Sequence, residues 1–420
     1  MPAEQRIRIL TPEQAVSDIT TPASPIGTAL SSTVVNPALR RMTADDMLSA
    51  LFNVPLPPDD RPTVVWSSSM TSSYATPVLA RPAIVGTGVG VVWNSFTGTP
   101  DPLFHFDPGV FSTSNGGAGD LEMHGDGKPG GASQAANWNL AFEFVTTSTD
   151  AFELSLYDTG SSGFVLEVNG IEAGFYQLQP GLAAGKKATV TFPRAGIRHI
   201  RISGLQRFRE VMLKSGANIS KPTFTRRRGA IIGDSYVNGS GGVYNAERGT
   251  TINTSFAPRL LRALGSTSDV LAGIGGTGFV AGGTESNYLS RVSAVLGFQP
   301  SFLVLTGSIN DNSTGTGVQA GVEAVLNSTA SVADRFVATV TRKGWEGCNA
   351  AIRAGVTAHG QGVRVISVDG ILDGTGNTQS GGTGMQGLFN MTDNSHPSYE
   401  GHEFILRQMV RAYFETARSI

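Results

Sequence analysis

Hydrophobic and polar positions change rhythm twice along this chain. Up to about residue 62 no period is sustained. Proline and hydroxyl residues interrupt the sequence at Thr20-Thr21-Pro22, Ser24-Pro25 and Pro55-Leu56-Pro57-Pro58. One short helix is predicted there, with Thr43 as N-cap, Asp45 and Asp46 in its first turn, then Met47, Leu48 and Leu51. From 63 to 222 apolar and polar residues alternate over short spans, as in Phe142-Glu143-Phe144, Phe152-Glu153-Leu154-Ser155-Leu156 and Ile200-Arg201-Ile202. A period of two is that of a half-buried strand. Turn residues at Asp158-Thr159-Gly160, Asn169-Gly170 and Pro180-Gly181 cut the strands short, and Asn169-Gly170 between Val165 and Ile171 predicts a tight hairpin. Many short strands with no helical period predict an all-β sandwich or jelly roll.

From about 223 the rhythm is different again. Near-continuous apolar runs at Ala230–Ile232, Asp269–Ala272, Phe302–Thr306 and Val363–Val368 read as buried strands. Helical stretches are expected between them at Phe256–Leu264, Tyr288–Leu296, Val332–Val340 and Trp345–Ala358. A long amphipathic helix over Ser398–Ser419 carries Phe404, Ile405, Met409, Val410 and Phe414 as its stripe. Apolar strands alternating with helices imply a parallel sheet covered on both faces. The expected organisation is an N-terminal arm (1–62), a β-sandwich or jelly-roll accessory domain (63–222) and an α/β domain (223–420).

Composition narrows the function classes. The 420 residues carry a formal net charge of −2, which gives no electrostatic case for nucleic acid or an anionic membrane as partner. Charged residues make up 15% and glycine numbers 53, so the surface must be largely Ser, Thr, Asn and Gly. That suits an extracellular, virion-associated or carbohydrate-facing protein. Cys348 is the lone cysteine, so no internal disulfide forms, and its helical context predicts a buried structural thiol. Met1–Leu10 has no apolar core of a secretory signal, and no apolar run is long enough for a membrane span.

Candidate chemistry begins where the first α/β strand stops. Gly233-Asp234-Ser235 directly follows Ala230-Ile231-Ile232 and opens a Gly-rich turn. In parallel sheets, sites form at the carboxyl ends of strands. A serine hydroxyl becomes a nucleophile when a histidine takes its proton and a carboxylate holds that histidine's tautomer. Asp393 and His396, in Asp393-Asn394-Ser395-His396-Pro397, supply that pair. Donors for a developing oxyanion should come from neighbouring strand ends, at Ala272 to Gly278 and at Thr306 to Asp311. Asn310 offers a side-chain amide there, and Asp311 could hold its loop.

These residues resemble the SGNH/GDSL hydrolase family. Gly233 to Gly239 fits its first block, Ile274-Gly275-Gly276 is similar to the second, Ile309-Asn310-Asp311 to the third, and Asp393 to Pro397 to the fourth. The third block departs from the family pattern in having Ser308 at its glycine position, with Gly307 one residue earlier. The second lacks the asparagine that often precedes its glycine. The resemblance spans about 225 to 420 and implies a flavodoxin-like αβα sandwich and ester hydrolysis without metal or other cofactor. Ser235, His396 and Asp393 would be catalytic, an oxyanion hole would form from Ser235, Gly276 and Asn310, and Asp234 and Asp311 would support it.

The other conspicuous residues have structural readings. His402 and His359 are expected in the last helix and at a helix C-terminus. Arg226-Arg227-Arg228 reads as an anchor between the two main regions. Trp66, Trp93 and Trp138 are expected as core aromatics of the β region, with stacking on sugars as the alternative, and Asp120 to Asp126 as a solvated or sugar-facing loop with a Ca²⁺ site as the alternative. The leading expectation for function is an esterase removing O-acetyl groups from a polysaccharide. A lipase or thioesterase, with Leu388, Phe389 and Met391 lining an acyl pocket, is the second. Thr21 to Ser31 resembles segments of bacteriophage tail proteins, so a virion-borne glycan-binding protein, a homotrimer in that case, is the third.

Overall fold

The structure, a computed structural model, describes residues 56–80, 104–106, 110–112, 121–124, 140–157, 163–177, 185–205, 207–223, 227–239, 255–360, 362–372 and 396–418. The helix expected from Thr43, together with Trp93 and Trp138, lies outside them.

An antiparallel sheet of eleven strands comes first: β1 (Thr63–Ser67), β2 (Val78–Ala80), β3 (His105–Phe106), β4 (Val110–Ser112), β5 (Leu121–His124), β6 (Leu140–Tyr157), β7 (Gly163–Val168), β8 (Ile171–Gln177), β9 (Gly185–Leu205), β10 (Arg207–Leu213) and β11 (Asn218–Ser220). Its spine is the β6–β9 pair, which runs from Leu140 opposite Leu205 to Tyr157 opposite Gly185. The register breaks around Thr146, Thr149 and Ala151, where irregular pairing bends the ribbon. On one side of the break β7 and β8 extend the sheet beyond β9, while β3 and β11 flank β6. On the other side β1 flanks β9 and β10 flanks β6. Both halves send alternate residues into one core, Phe142, Phe144, Ile200 and Ile202 meeting Phe152, Leu154, Leu156 and Val190. Phe144 and Phe152 make an edge-to-face contact at 5.4 Å. The sandwich expected from the alternation is thus a single continuous sheet closed over its own apolar face. Asn169 and Gly170 both take positive φ, 53° and 79°, so Val168 and Ile171 pair across a two-residue turn. Trp66 packs edge-on against Phe164, inside this region.

Two features of the β region depart from the simple pattern. Leu56 is buried in the β core, and Arg198 binds the Asp60 carboxylate at 2.7 Å and the Asp59 carbonyl at 2.8 Å. Residues 56–62 therefore pack with the β region, although the sequence assigns them to the arm. The polar face of β6 is also covered: Glu143 and Glu153 are both buried. Lys187 and the Ser72 and Ser73 hydroxyls meet Glu153, and His199 and Arg201 meet Glu143.

The second sheet has five parallel strands: β12 (Arg228–Gly233), β13 (Ser268–Gly273), β14 (Phe302–Thr306), β15 (Asp334–Ala338) and β16 (Val363–Ile366), in the order β13-β12-β14-β15-β16. The helices are α1 (Ser235–Asn238), α2 (Phe256–Ala263), α3 (Gly283–Ser286), α4 (Tyr288–Gly297), α5 (Val318–Ser328), α6 (Glu346–His359) and α7 (Tyr399–Arg418). Ile231 and Val304 face α2 and α7 through Leu260, Leu261, Ile405, Met409 and Val410. Ala230, Ile232, Leu303 and Leu305 face α4, α5 and α6 through Val292, Val295, Val322, Val325 and Ile352. This is a doubly wound αβα sandwich, and both faces of every central strand are apolar for that reason. Cys348 is buried in the second core, and burial pushes its thiol up to about 12.

Two expectations need correction here. Val332–Val340 is not a helix: Asp334–Ala338 forms β15, between β14 and β16. Val332, Phe336 and Val340 recur every fourth residue, which mimics a helical period, yet the intervening Val337 is buried as well. The helix is α5, with Val318, Val322, Val325 and Leu326 as its buried stripe. The arginine anchor is the other correction. Arg227 donates to the Leu264 carbonyl at 2.6 Å and pairs with Asp334, and Arg228 donates to the Phe298 carbonyl, so both serve the α/β unit itself. Arg226 lies outside the described residues. The ion pairs joining the two sheets come instead from Arg201, which approaches Asp269 at 3.7 Å, and from Arg262, which pairs with Glu167.

Candidate active site

Four segments at the carboxyl edge of the parallel sheet form the candidate site. β12 ends on Gly233, where a Cβ would collide with the Val237 side chain and the Thr306 hydroxyl. That lets the chain turn tightly into α1. Asp234 caps α1, accepting the Tyr236 N–H on Oδ1 at 2.8 Å, and α1 stops at Gly239 with φ 71°. Ser235 opens the helix and is 4% exposed. The other Asp234 oxygen accepts the Ile309 N–H at 3.2 Å and faces the Ser308 hydroxyl at 3.1 Å. Burial raises the pKa of this carboxyl, while those hydrogen bonds and the nearby His396 pull it down.

The loop after β13 carries Gly276, exposed and left-handed with φ 73°, a conformation glycine adopts freely. Asp311 shapes the next turn of this loop. Its carboxylate accepts the N–H groups of Phe279, Val280 and Ala281 at 2.9, 3.0 and 2.9 Å. Gly278 packs so closely that a Cβ there would lie 2.5 Å from Asp311 Oδ1. Trp345 donates its indole N–H to the Asp311 carbonyl at 3.0 Å, bracing the loop from outside.

The loop after β14 carries Gly307, Ser308 and Asn310. A Cβ on Gly307 would sit 2.6 Å from the Val340 nitrogen, so the residue that must be glycine is Gly307 rather than its neighbour. Ser308 is fully buried. The Asn310 amide donates to the Thr277 carbonyl at 3.0 Å and reaches Ser308 Oγ at 3.3 Å.

His396 enters from the segment before α7. Its half-buried ring lies 6.1 Å, centroid to centroid, from the ring of Tyr236, the residue after Ser235. The start of α7 is fixed by Ser398, whose carbonyl accepts the His402 N–H at 2.9 Å. His402 itself is buried, stacks on Phe256 and accepts the Phe256 N–H on Nδ1 at 3.4 Å. Burial, with the neighbouring His396, pushes its imidazole down to about 3. His359 ends α6 and contacts Asn327 and Arg335. Asp393, with Leu388, Phe389 and Met391, lies outside the described residues, and so do the side chains of Asp120 to Asp126. Among the described residues no group of three or more His, Cys, Asp or Glu side chains is placed to hold a metal.

The sequence reading missed Arg291. Its guanidinium is buried under the site and donates to the carbonyls of Gly233 (2.8 Å) and Ala272, and to the Thr277 hydroxyl at 2.9 Å. It thereby ties the end of β12 to the loop after β13. Burial lowers its pKa to about 10, opposed by Tyr288 and Asp234. The signal was present: Tyr288, Arg291, Val292 and Val295 form the buried stripe of α4, and a charge on such a stripe needs partners.

Solved structures share this architecture. A family two carbohydrate esterase from Cellvibrio japonicus matches with a TM-score of 0.51 at 11% identity, over 82% of this chain and 99% of that one. The salicylyl-acyltransferase SsfX3 from a tetracycline biosynthetic pathway matches with a TM-score of 0.51 at 14% identity, over 76% and 95%. No protein-family model and no curated protein sequence matches the chain. The likeness shows the fold alone, a doubly wound α/β sandwich accompanied by a β region.

Proposed function

We propose that this chain is a serine carboxylic ester hydrolase that removes O-acetyl groups from a polysaccharide. Ser235 is the nucleophile, His396 the base and Asp393 the carboxylate that orients it. One observation carries the reading: Ser235 lies at the carboxyl end of a central parallel strand, and the His396 ring is 6.1 Å from the ring of the next residue, Tyr236. His396 takes the Ser235 proton as Oγ bonds to the acyl carbon, and the carbonyl electrons move onto oxygen. The oxyanion is held by the Ser235 and Gly276 N–H groups and the Asn310 amide. Its collapse expels the sugar oxygen, which leaves with the proton from His396. Water, deprotonated by His396, then releases acetate and restores Ser235.

A polysaccharide substrate is supported by the low charge and high glycine content and by a fold shared with a carbohydrate esterase. An extracellular or virion-borne setting fits the same composition. The test is turnover of p-nitrophenyl acetate and of an acetylated glycan by the wild type and by Ser235→Ala. The substitution is expected to lower kcat on the order of 10⁴-fold or more, and turnover that survives it would sink the mechanism. Optimal activity on octanoyl or longer esters would replace the deacetylase by a lipase or thioesterase. Glycan binding without Ser235-dependent turnover, in a trimer, would favour a tail protein.

A further inference from the structure

We propose that Ser308 is a positioning residue whose hydroxyl holds the Asn310 amide in place as an oxyanion donor. This rests on the esterase reading above, and it concerns the residue at which the third block departs from its family pattern. Ser308 Oγ is fully buried and has four polar neighbours: the Thr277 carbonyl at 2.6 Å, the Asn310 N–H at 3.0 Å, Asp234 Oδ2 at 3.1 Å and the Asn310 amide nitrogen at 3.3 Å. Each belongs to a donor or to the residue beside one. Asp234 precedes Ser235, Thr277 follows Gly276, and Asn310 is held at both its main-chain and side-chain nitrogens.

Valence decides how this hydroxyl works. It has one hydrogen and two lone pairs. The hydrogen is directed between Thr277 O and Asp234 Oδ2, and the lone pairs face the two Asn310 donors. The Asn310 amide has two N–H bonds. One is committed to Thr277 O at 3.0 Å, and the other rests on the longer contact to Ser308. That second N–H is the one an oxyanion can draw away at little cost, because a 3.3 Å contact is near the limit of a hydrogen bond. Ser308 therefore holds the amide ready while the bond to Thr277 keeps its plane fixed. A glycine here leaves the Asn310 main-chain N–H and one Asp234 oxygen without this partner. The close packing against Val340 that excludes a side chain falls on Gly307, one residue before the hydroxyl.

A double-mutant cycle on kcat tests this, using full-length Ser308→Ala, Asn310→Ala, the double variant and Ser235→Ala with p-nitrophenyl acetate. Ser308→Ala is expected to lower kcat about 10- to 100-fold, as misplacement of a reacting geometry does, with KM little changed. In the Asn310→Ala background the same change should alter kcat only within about twofold. Ser308→Gly, which restores the usual family residue, should behave like Ser308→Ala and serves if the alanine variant does not fold. Equal losses in both backgrounds, or no loss of kcat, would overturn the role of Ser308 while leaving the esterase reading in place. Wild-type turnover unaffected by Ser235→Ala would remove both.

Discussion

His402 shows how one buried side chain ties the candidate site to pH. Its imidazole lies inside the α2–α7 contact with its pKa depressed to about 3, against an ordinary value of 6.5. The folded protein holds it neutral, whereas the unfolded chain takes up a proton as pH falls through 6.5. Its contribution to stability is complete above the unfolded value and is lost progressively as pH falls towards the folded one. The wild type should therefore lose thermal stability between about pH 6.5 and 3 more steeply than His402→Gln. Melting temperatures of the two proteins across that range measure the difference. Equal slopes would show that His402 is not the group responsible. The position matters for the proposed chemistry because α7 comes directly after His396, so acid that loosens α7 also loosens the proposed base.

At the scale of elements, the site depends on how strand ends are locked together, and Arg291 is the lock between β12 and the loop after β13. Arg291→Met keeps the length of the side chain but takes the guanidinium donor from the Gly233 and Ala272 carbonyls and the Thr277 hydroxyl, with the Ile274 N–H still on Gly233. A loss of about 1.5–3 kcal/mol in urea unfolding is expected, from the buried charge-assisted hydrogen bonds that are removed. kcat should fall with it. The same elements mark how much the sequence made legible. Apolar runs revealed β12, β13, β14 and β16, and an Asn-Gly pair revealed the β7–β8 turn, because each of these carries its signal locally. The α5–β15 stretch misled, since a four-residue recurrence of valine and phenylalanine suits a helix stripe and a doubly buried strand alike. Arg291 and Ser308 were not legible as site residues. Their roles come from partners on other strands, and a one-dimensional pattern does not contain those pairings. Periodicity placed Ser235 and Asn310 at strand ends, and the needs of a serine nucleophile suggested His396 and Asp393 as its partners, whereas Gly276 as an oxyanion donor came only from the family resemblance.

Across the whole molecule, the two sheets meet through charge. Arg201 lies among Glu143 (3.0 Å), Glu167 (3.7 Å) and Asp269 (3.7 Å), and Arg262 joins Glu167 from the α/β side. These groups are mostly buried, so the pairs hold the regions in one orientation more than they add net stability. Removing one partner is another matter. Arg201→Met takes the shared cation from Glu143, Glu167 and Asp269, leaving His199 beside the first and Arg262 beside the other two, and a loss of about 3 kcal/mol is expected. Unfolding tracked by near-ultraviolet circular dichroism and by activity should report it. An unchanged midpoint would show that the junction is held by other contacts. The alternation of β6 and β9 suggested a solvated outer face, and it is this junction that places Glu143 and Arg201 indoors.

The position of β12 also sets an order of assembly. The strand that presents Ser235 lies between two strands that come later in the chain, β13 and β14. Ser308 and Asp234 are 74 residues apart, and the contact of His402 with Phe256 spans 146. Closures of this length are entropically slow relative to local helix formation. The strand of the proposed nucleophile therefore gains its neighbours only from later chain, and the proposed base comes later still, just before α7. On the esterase reading, a chain cut short before residue 396 would hold the serine strand but lack the proposed base, and is expected to turn over no ester.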